Sequence, residues 1–257
     1  MLHIHRETAT HPRHGLTLNL ARTASDIEQA QRLRYKIFAE EMGARLPGTE
    51  ERIDRDIFDP YCEHLLVRDN ENDKVVGTYR LLSPQQAKSI GSYYSETEFD
   101  LVRLHTLRER MVEVGRSCVH TDYRNGSTIS CLWSGIADYM QHHGHEYLIG
   151  CASISIADGG HCAASIFRKL EKNYMAPSEY RVFPRYRLPL EALNANLDAP
   201  IPPLIKGYLR LGAYICGDPA WDPDFNTADL FILLPMSRLS HRYARHFLKT
   251  VTQENEK

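Results

Sequence analysis

The chain has 257 residues, 42% hydrophobic and 25% charged, and a formal net charge of −2. That length and composition suit one large domain or two small ones with a sizeable core, and the charge balance gives no ground for expecting nucleic-acid binding. No apolar run is long enough to span a bilayer, and the His- and Arg-rich start lacks the apolar block of a signal peptide, so a cytoplasmic protein is expected.

Leu16–Ala21 reads as a first strand. Ser25 then caps a helix, with Glu28 three residues on completing a capping box. Ile27, Ala30, Leu33, Ile37 and Phe38 form its apolar stripe, Arg34 lies beside that stripe, and Gly43 ends the helix. Gly43–Pro60 is a polar connection carrying Asp54, Asp56 and Asp59. His64–Arg68 and Val75–Leu82, joined by the turn-forming Asp69–Asp73, form a hairpin with Arg80 late in its second strand. Met111–Val119 is the next strand. Ile129, Leu132, Trp133, Ile136, Tyr139 and Met140 recur at helical spacing, and Gly144 closes that helix. Tyr147–Ile154 is a buried strand, Cys162–Lys172 a helix, Leu204–Ile215 and Leu230–Leu234 late strands, and Arg238–Val251 a terminal helix.

The hairpin is antiparallel, whereas the strand–helix–strand unit Met111–Ile154 requires a right-handed parallel crossover. The expected fold is therefore α/β, a mixed sheet with helices on both faces. Six scattered cysteines (Cys62, Cys118, Cys131, Cys151, Cys162 and Cys216) without a CxxC pair read as reduced core thiols. His142, His143 and His145 suit the C-terminal end of a helix dipole better than a metal, so no metal site is expected.

The most informative stretch is Val112–Thr128, VEVGRSCVHTDYRNGST. A strand with Glu113 and Arg116 runs into a Gly/Ser/Thr turn at a helix N-terminus, where free N–H groups and the helix dipole favour a phosphate. In a flat strand Glu113 and Arg116 would face opposite sides. A bulge at Gly115 would bring them to one face and splay this strand from Tyr147–Ile154. The resulting gap suits pantetheine, whose amides can pair with open strand edges.

These features resemble the GNAT acyltransferase fold, and within it the branch of the acyl-homoserine-lactone synthases. Those synthases carry an Arg and a Phe on the first helix, an acidic cluster, a strand Arg and a Glu-x-x-Arg strand. Arg34 and Phe38, then Asp54, Asp56 and Asp59, then Arg80, then Glu113 and Arg116 fill those positions. The phrases YKIFAEEMGA, FDPYCEHLLV, VGTYRLL, YSETEFDL, VGRSCV, LWSGIADY, IGCASI and PPLIKGYLRLGA resemble a narrower group, the L-ornithine Nα-acyltransferases that form ornithine lipids, over about Ala30–Leu234.

The resemblance implies a bulged, splayed central strand pair in a single GNAT-like domain over residues 26–257, after an N-terminal segment 1–25. It implies transfer of a (3-hydroxy) fatty acyl group to the α-amine of L-ornithine, giving lyso-ornithine lipid. The donor would be an acyl carrier protein thioester, with no tightly bound cofactor, and the product would bring a peripheral membrane contact. The turn Arg124-Asn125-Gly126-Ser127-Thr128 is one residue shorter than the Gln/Arg-x-x-Gly-x-Gly/Ala turn of acetyl-CoA-using relatives, which favours the single phosphate of a carrier protein. Ser117, Cys118 and Val119 with Arg124, Asn125, Gly126, Ser127 and Thr128 are the candidate donor-binding residues. Arg124, with Arg168, Lys169 and Lys172, is a candidate for docking an acidic carrier protein.

Glu113 is the candidate base for deprotonating an ammonium; the alternative is a structural carboxylate paired to Arg116 or Arg80. Arg116 holds the substrate carboxylate or shapes the pocket. Asp54, Asp56 and Asp59 either solvate a loop or hold the distal ammonium of a dibasic amino acid, alongside Arg34, Phe38 and Arg80. Ser117 and Cys118 sit in no nucleophile elbow, so direct transfer is expected rather than an acyl-enzyme. Lys206, Tyr208 and Arg210 alternate along the expected late strand, as a solvent stripe or a substrate face. The alternatives to the leading reading are another amino-acid acceptor, a CoA donor, and a non-catalytic GNAT-like shell that binds an acyl group.

Overall fold

A computed structural model describes residues 15–47 and 50–239. Ten strands are present among them: β1 Leu16–Leu20, β2 Glu63–Asp69, β3 Val75–Leu82, β4 Phe99–Asp100, β5 Met111–Val119, β6 Tyr147–Ser155, β7 Phe183–Pro184, β8 Tyr214–Ile215, β9 Ala220–Asp222 and β10 Thr227–Pro235. The α-helices are α1 Ala24–Tyr35, α2 Pro84–Ile90, α3 Ser127–His142, α4 His161–Tyr174 and α5 Pro203–Leu211. The main sheet runs β1-β2-β3-β5-β6-β10-β8, with β9 also on β10, and β4 pairs with β7 apart from it. All pairs are antiparallel except β5 with β6, which is parallel as the crossover requires.

Alternation along the strands builds two faces. Leu65 and Val67 of β2, with Val112 and Val114 of β5, pack under α3, α4 and α5. Leu66 of β2 and Val75 of β3 meet α1 on the opposite side through Ala30 and Leu33, with Ile37 just beyond its end. Phe58 and Met111 anchor a third cluster with Ile149 and Phe231. Gly77 and Gly135 allow α3 to lie close to the sheet. A Cβ on Gly77 would stand 2.5 Å from Thr128 Cγ2, and one on Gly135 would stand 2.7 Å from Leu18 Cδ2.

Three sequence expectations are corrected. The first helix is capped by Thr23, not Ser25; the Thr23 hydroxyl accepts from Asp26 N–H and Asp26 returns the bond, so Asp26 takes the place given to Glu28. The expected Leu204–Ile215 strand is largely α5. Pro203 sits in the first turn, Gly212 ends the helix at φ +101°, and Ile205, Tyr208 and Leu209 bury a helical face. Alternation over Lys206, Tyr208 and Arg210 is compatible with either period, and here Tyr208 is buried while Lys206 and Arg210, one turn apart, are exposed. The expected bulge is one residue further on than Gly115. Arg80 pairs with Gly115 and Thr78 with Cys118, so Arg116 and Ser117 together oppose Tyr79, and Arg116 carries the left-handed φ of +52°. The terminal helix expected over Arg238–Val251 lies almost wholly outside the described residues.

Candidate active site

β5 and β6 pair only at Met111, Val112 and Glu113, against Tyr147, Leu148 and Ile149, and then part. Gly150 permits the close approach of the two strands at the base of the fork, since a Cβ there would lie 2.4 Å from the Val114 carbonyl oxygen. Beyond Glu113 the β6-facing edge of β5 has no strand partner. It opens onto a cavity of about 820 Å³, near the upper end of the range for ligand pockets. Trp133, Ile129, Leu204 and Leu211 give that cavity an apolar wall, while Glu113, Asp229, Arg80, Arg116, Arg124 and Arg210 supply its charged groups.

Glu113 is 4% exposed at the fork. Its Oε2 accepts from Tyr94 N–H at 2.6 Å; its Oε1 accepts from Ser95 N–H at 2.7 Å and from the Ser95 hydroxyl. A carboxylate has about four acceptor sites, so one on Oε2 remains for a ligand or water. Burial pushes the Glu113 carboxyl above the usual carboxylate range, against the opposing pull of the Ser95 and Tyr94 donors and of Arg80. It bonds neither Arg116 nor Arg80; its partners come from the Tyr94–Thr97 turn. That turn lies in the phrase YSETEFDL, to which the sequence reading assigned no role.

Arg116 shares the Glu113 face, as both meet Tyr94. Its guanidinium lies 4.8 Å from the Tyr94 ring and 4.7 Å from the Phe225 ring. It bonds Asp56 at 3.2 Å, while its Nε lies 3.2 Å from Asp54 off the hydrogen-bond axis and has no hydrogen-bond partner. These contacts offset a left-handed backbone cost of roughly 1–3 kcal/mol.

The acidic cluster is fully engaged. Arg34 bonds Asp54 at 2.7 Å and Asp59 at 2.8 Å; Arg80 bonds Asp56 at 2.6 Å and Asp59 at 2.9 Å. Three arginines thus balance three aspartates. Burial raises the Asp59 carboxyl, but Arg34 and Arg80 outweigh it and hold the group far below its ordinary value. Arg34, Asp54, Asp56 and Asp59 do not line the cavity. In this arrangement the aspartates are paired to arginines and hold Arg80 and Arg116 in place. Phe38, on the π-helical turn Lys36–Glu41 that extends α1, does line the cavity and meets Phe225 edge-on at 5.7 Å.

Along the open edge, Ser117, Cys118 and Val119 reach the cavity, and Arg124 and Gly126 close its far end. Burial pushes the Cys118 thiol up to about 12, which leaves it no thiolate at neutral pH and fits direct transfer. Gly126 takes φ +92° before α3. Asn125 Oδ1 accepts from Ser127 N–H and hydroxyl, and Thr128 bonds the Tyr123 carbonyl, so these three brace the turn and do not line the cavity. Arg124 bonds the Val119 carbonyl and Glu41.

A second acidic group has no signal in the sequence. Carboxylate oxygens of Glu98, Asp222 and Asp229 lie within 4.8 Å of one another. Glu98 follows the Tyr94–Thr97 turn and Asp229 lies in β10, so only the sheet order brings them together.

Comparison with known proteins agrees with this geometry. Residues 33–134 match the acetyltransferase (GNAT) domain family. The chain is 40% identical over 251 residues to the L-ornithine Nα-acyltransferase of Brucella abortus, covering 91% of this chain and 89% of that protein. It is 39% identical to the enzyme of the same name from Agrobacterium fabrum, covering 90% and 85%. Among solved structures, the CoA-dependent acyl-homoserine lactone synthase MesI aligns with a TM-score of 0.53 at 13% identity, over 90% of this chain and 94% of that one; the likeness is one of fold. With its splayed β5–β6 pair, its mixed sheet and this identity over nine-tenths of its length, the chain belongs to the L-ornithine Nα-acyltransferase family, acyltransferases of the GNAT fold.

Proposed function

We propose that this chain moves a (3-hydroxy) fatty acyl group from the phosphopantetheine thioester of an acyl carrier protein to the α-amine of L-ornithine, giving lyso-ornithine lipid. The observation that carries the reading is the unpaired edge of β5, which runs from Glu113 at the fork to the start of α3 above a large, mainly apolar cavity. A pantetheine arm pairs with that edge as an added strand, its phosphate meeting the first N–H groups of α3. The acyl chain takes the apolar wall around Trp133 and Leu204.

Glu113 takes the ammonium proton, directly or through a water on the open site of Oε2. The freed amine nitrogen attacks the thioester carbon, the C–S bond breaks, and the thiolate leaves, taking up the proton that the attacking nitrogen sheds as the amide forms. N–H groups of the open β5 edge stabilise the oxyanion. Arg116, whose guanidinium lies in the cavity wall, holds the α-carboxylate.

The test is to incubate purified protein with matched acyl-carrier-protein and acyl-CoA donors and a panel of amino acids, and to identify products by mass. Nα-acylornithine formed preferentially from the carrier-protein donor is the expected result. Equal turnover of the two donors overturns the carrier-protein assignment, and absence of any acylated amine overturns the reading.

A further inference from the structure

Glu98 and Asp229 stand out as acidic groups without counter-charges. Asp229 is 4% exposed, lines the cavity, and has no hydrogen-bond partner on Oδ1; Glu98 stands beside it outside the cavity lining, with both carboxylate oxygens buried. Asp222 stands behind them, its Oδ1 accepting from the N–H groups of Asp224 and Phe225. By contrast, each aspartate of the loop before β2 is matched to an arginine.

This group is close to Glu113. The Ser95 hydroxyl that bonds Glu113 also accepts from the Cys151 thiol at 3.4 Å, and Cys151 and Asp229 share the cavity wall. We infer that Asp229, at the cavity wall and backed by the second negative charge of Glu98, forms the subsite for the distal ammonium of a diamino acid whose α-amine lies at Glu113. The inference rests on the chain acting on free amino acids, as proposed above. Ornithine's two nitrogens are five bonds apart, about 6 Å when extended, so one molecule can reach from a proton acceptor to a second anionic pocket.

Electrostatics point the same way. Burial, with the neighbouring charges of Asp229 and Asp222, drives the Glu98 carboxyl well above the usual range. Burial pushes Asp229 up to about 6, with Asp222 adding to it and Thr227 and Ser153 opposing. Without a cation, such a cluster keeps a proton; an ammonium replaces that proton and supplies the missing donors. Norvaline, with the same skeleton and no distal amine, would leave the carboxylates unpaired.

The experiment is calorimetric titration of the full chain, without acyl donor, with ornithine, norvaline and, after chelator treatment, Mg²⁺ or Ca²⁺. Glu98→Gln and Asp229→Asn are titrated alongside, each checked for folding by circular dichroism; because Glu98 is less buried, Glu98→Gln serves if the other fails to fold. Ornithine should bind the wild type at least about 30-fold more tightly than norvaline, and each variant should lose most of that difference, the scale of deleting one partner of a buried charge pair. Equal binding of the two amino acids, or a preference unchanged in the variants, overturns the inference. So does saturable divalent-cation binding lost in Glu98→Gln, since the cluster would then be a metal site. Selective ornithine binding without any acylated product would instead leave this subsite standing and sink the catalytic reading.

Discussion

Replacing Glu113 with Gln tests the centre of the site, and the structure shows that the change is not innocent. Three donors converge on the carboxylate: Tyr94 N–H on one oxygen, Ser95 N–H and hydroxyl on the other. An amide turns one of those oxygens into a donor. Whichever way it lies, its N–H₂ faces a backbone N–H. Loss of one charge-assisted bond costs about 1.5–3 kcal/mol and an unpaired buried N–H a further 1–3 kcal/mol, partly offset because the buried charge is gone. A net loss of about 2–4 kcal/mol in a chain of this size lowers Tm by roughly 5–15 °C.

If Glu113 is also the base, kcat per folded molecule falls by ~10²–10⁴-fold, because general-base assistance is removed. Part of that rate should return at high pH, where free amine is abundant. The assay is a pH–rate profile on protein quantified as folded by circular dichroism, well below the variant's Tm. A lowered Tm with the rate per folded molecule nearly unchanged would show that Glu113 only braces the Tyr94–Thr97 turn and would refute the base assignment.

Three further predictions follow from the same contacts. Ser95→Ala removes a donor that holds the Glu113 carboxyl down, so its value rises and the acid limb of kcat moves to higher pH; a uniform rate loss with that limb in place would contradict the argument. Asp59→Asn deprives Arg34 and Arg80 of a shared partner and should cost about 3–5 kcal/mol near neutral pH by denaturant unfolding. Because the folded Asp59 value is depressed, its contribution is present above its unfolded value near 4 and is lost as pH falls towards the folded value, so the gap to wild type should shrink below about pH 4. A pH-independent gap would show that charge is not the source. Gly150→Ala drives a Cβ into the Val114 carbonyl; β5 or β6 must shift, and both thermal stability and acyl-donor affinity should drop together, whereas unchanged donor affinity would separate the fork from donor binding.

Much of the frame was legible in the sequence because it depends on local rules. Period-2 runs gave β2, β3, β5 and β6, the helical stripe gave α3, and the crossover rule set β5 parallel to β6. Short segments failed where two periods coincide, as in α5, and where two plausible caps lie two residues apart, as at Thr23 and Ser25. Glycine tolerates unusual backbone, so the sequence points to Gly115 for the bulge. The residue that adopts the left-handed conformation is Arg116, held by the Tyr94 and Phe225 rings and by Asp54 and Asp56, contacts from three distant segments.

By itself the sequence determined β1, β2, β3, β5, β6, α1, α3 and α4, the parallel crossover and the charged residues gathered near the fork, because periodicity, capping and handedness act over a few residues. Tertiary structure alone decided how those charges are matched. Arg34, Arg80 and Arg116 neutralise the aspartates before β2, Glu113 turns to the amides of Tyr94 and Ser95, and Glu98 meets Asp229 across 131 residues of chain. Pairing of charges depends on distance and burial in space, and neither is encoded in spacing along the chain.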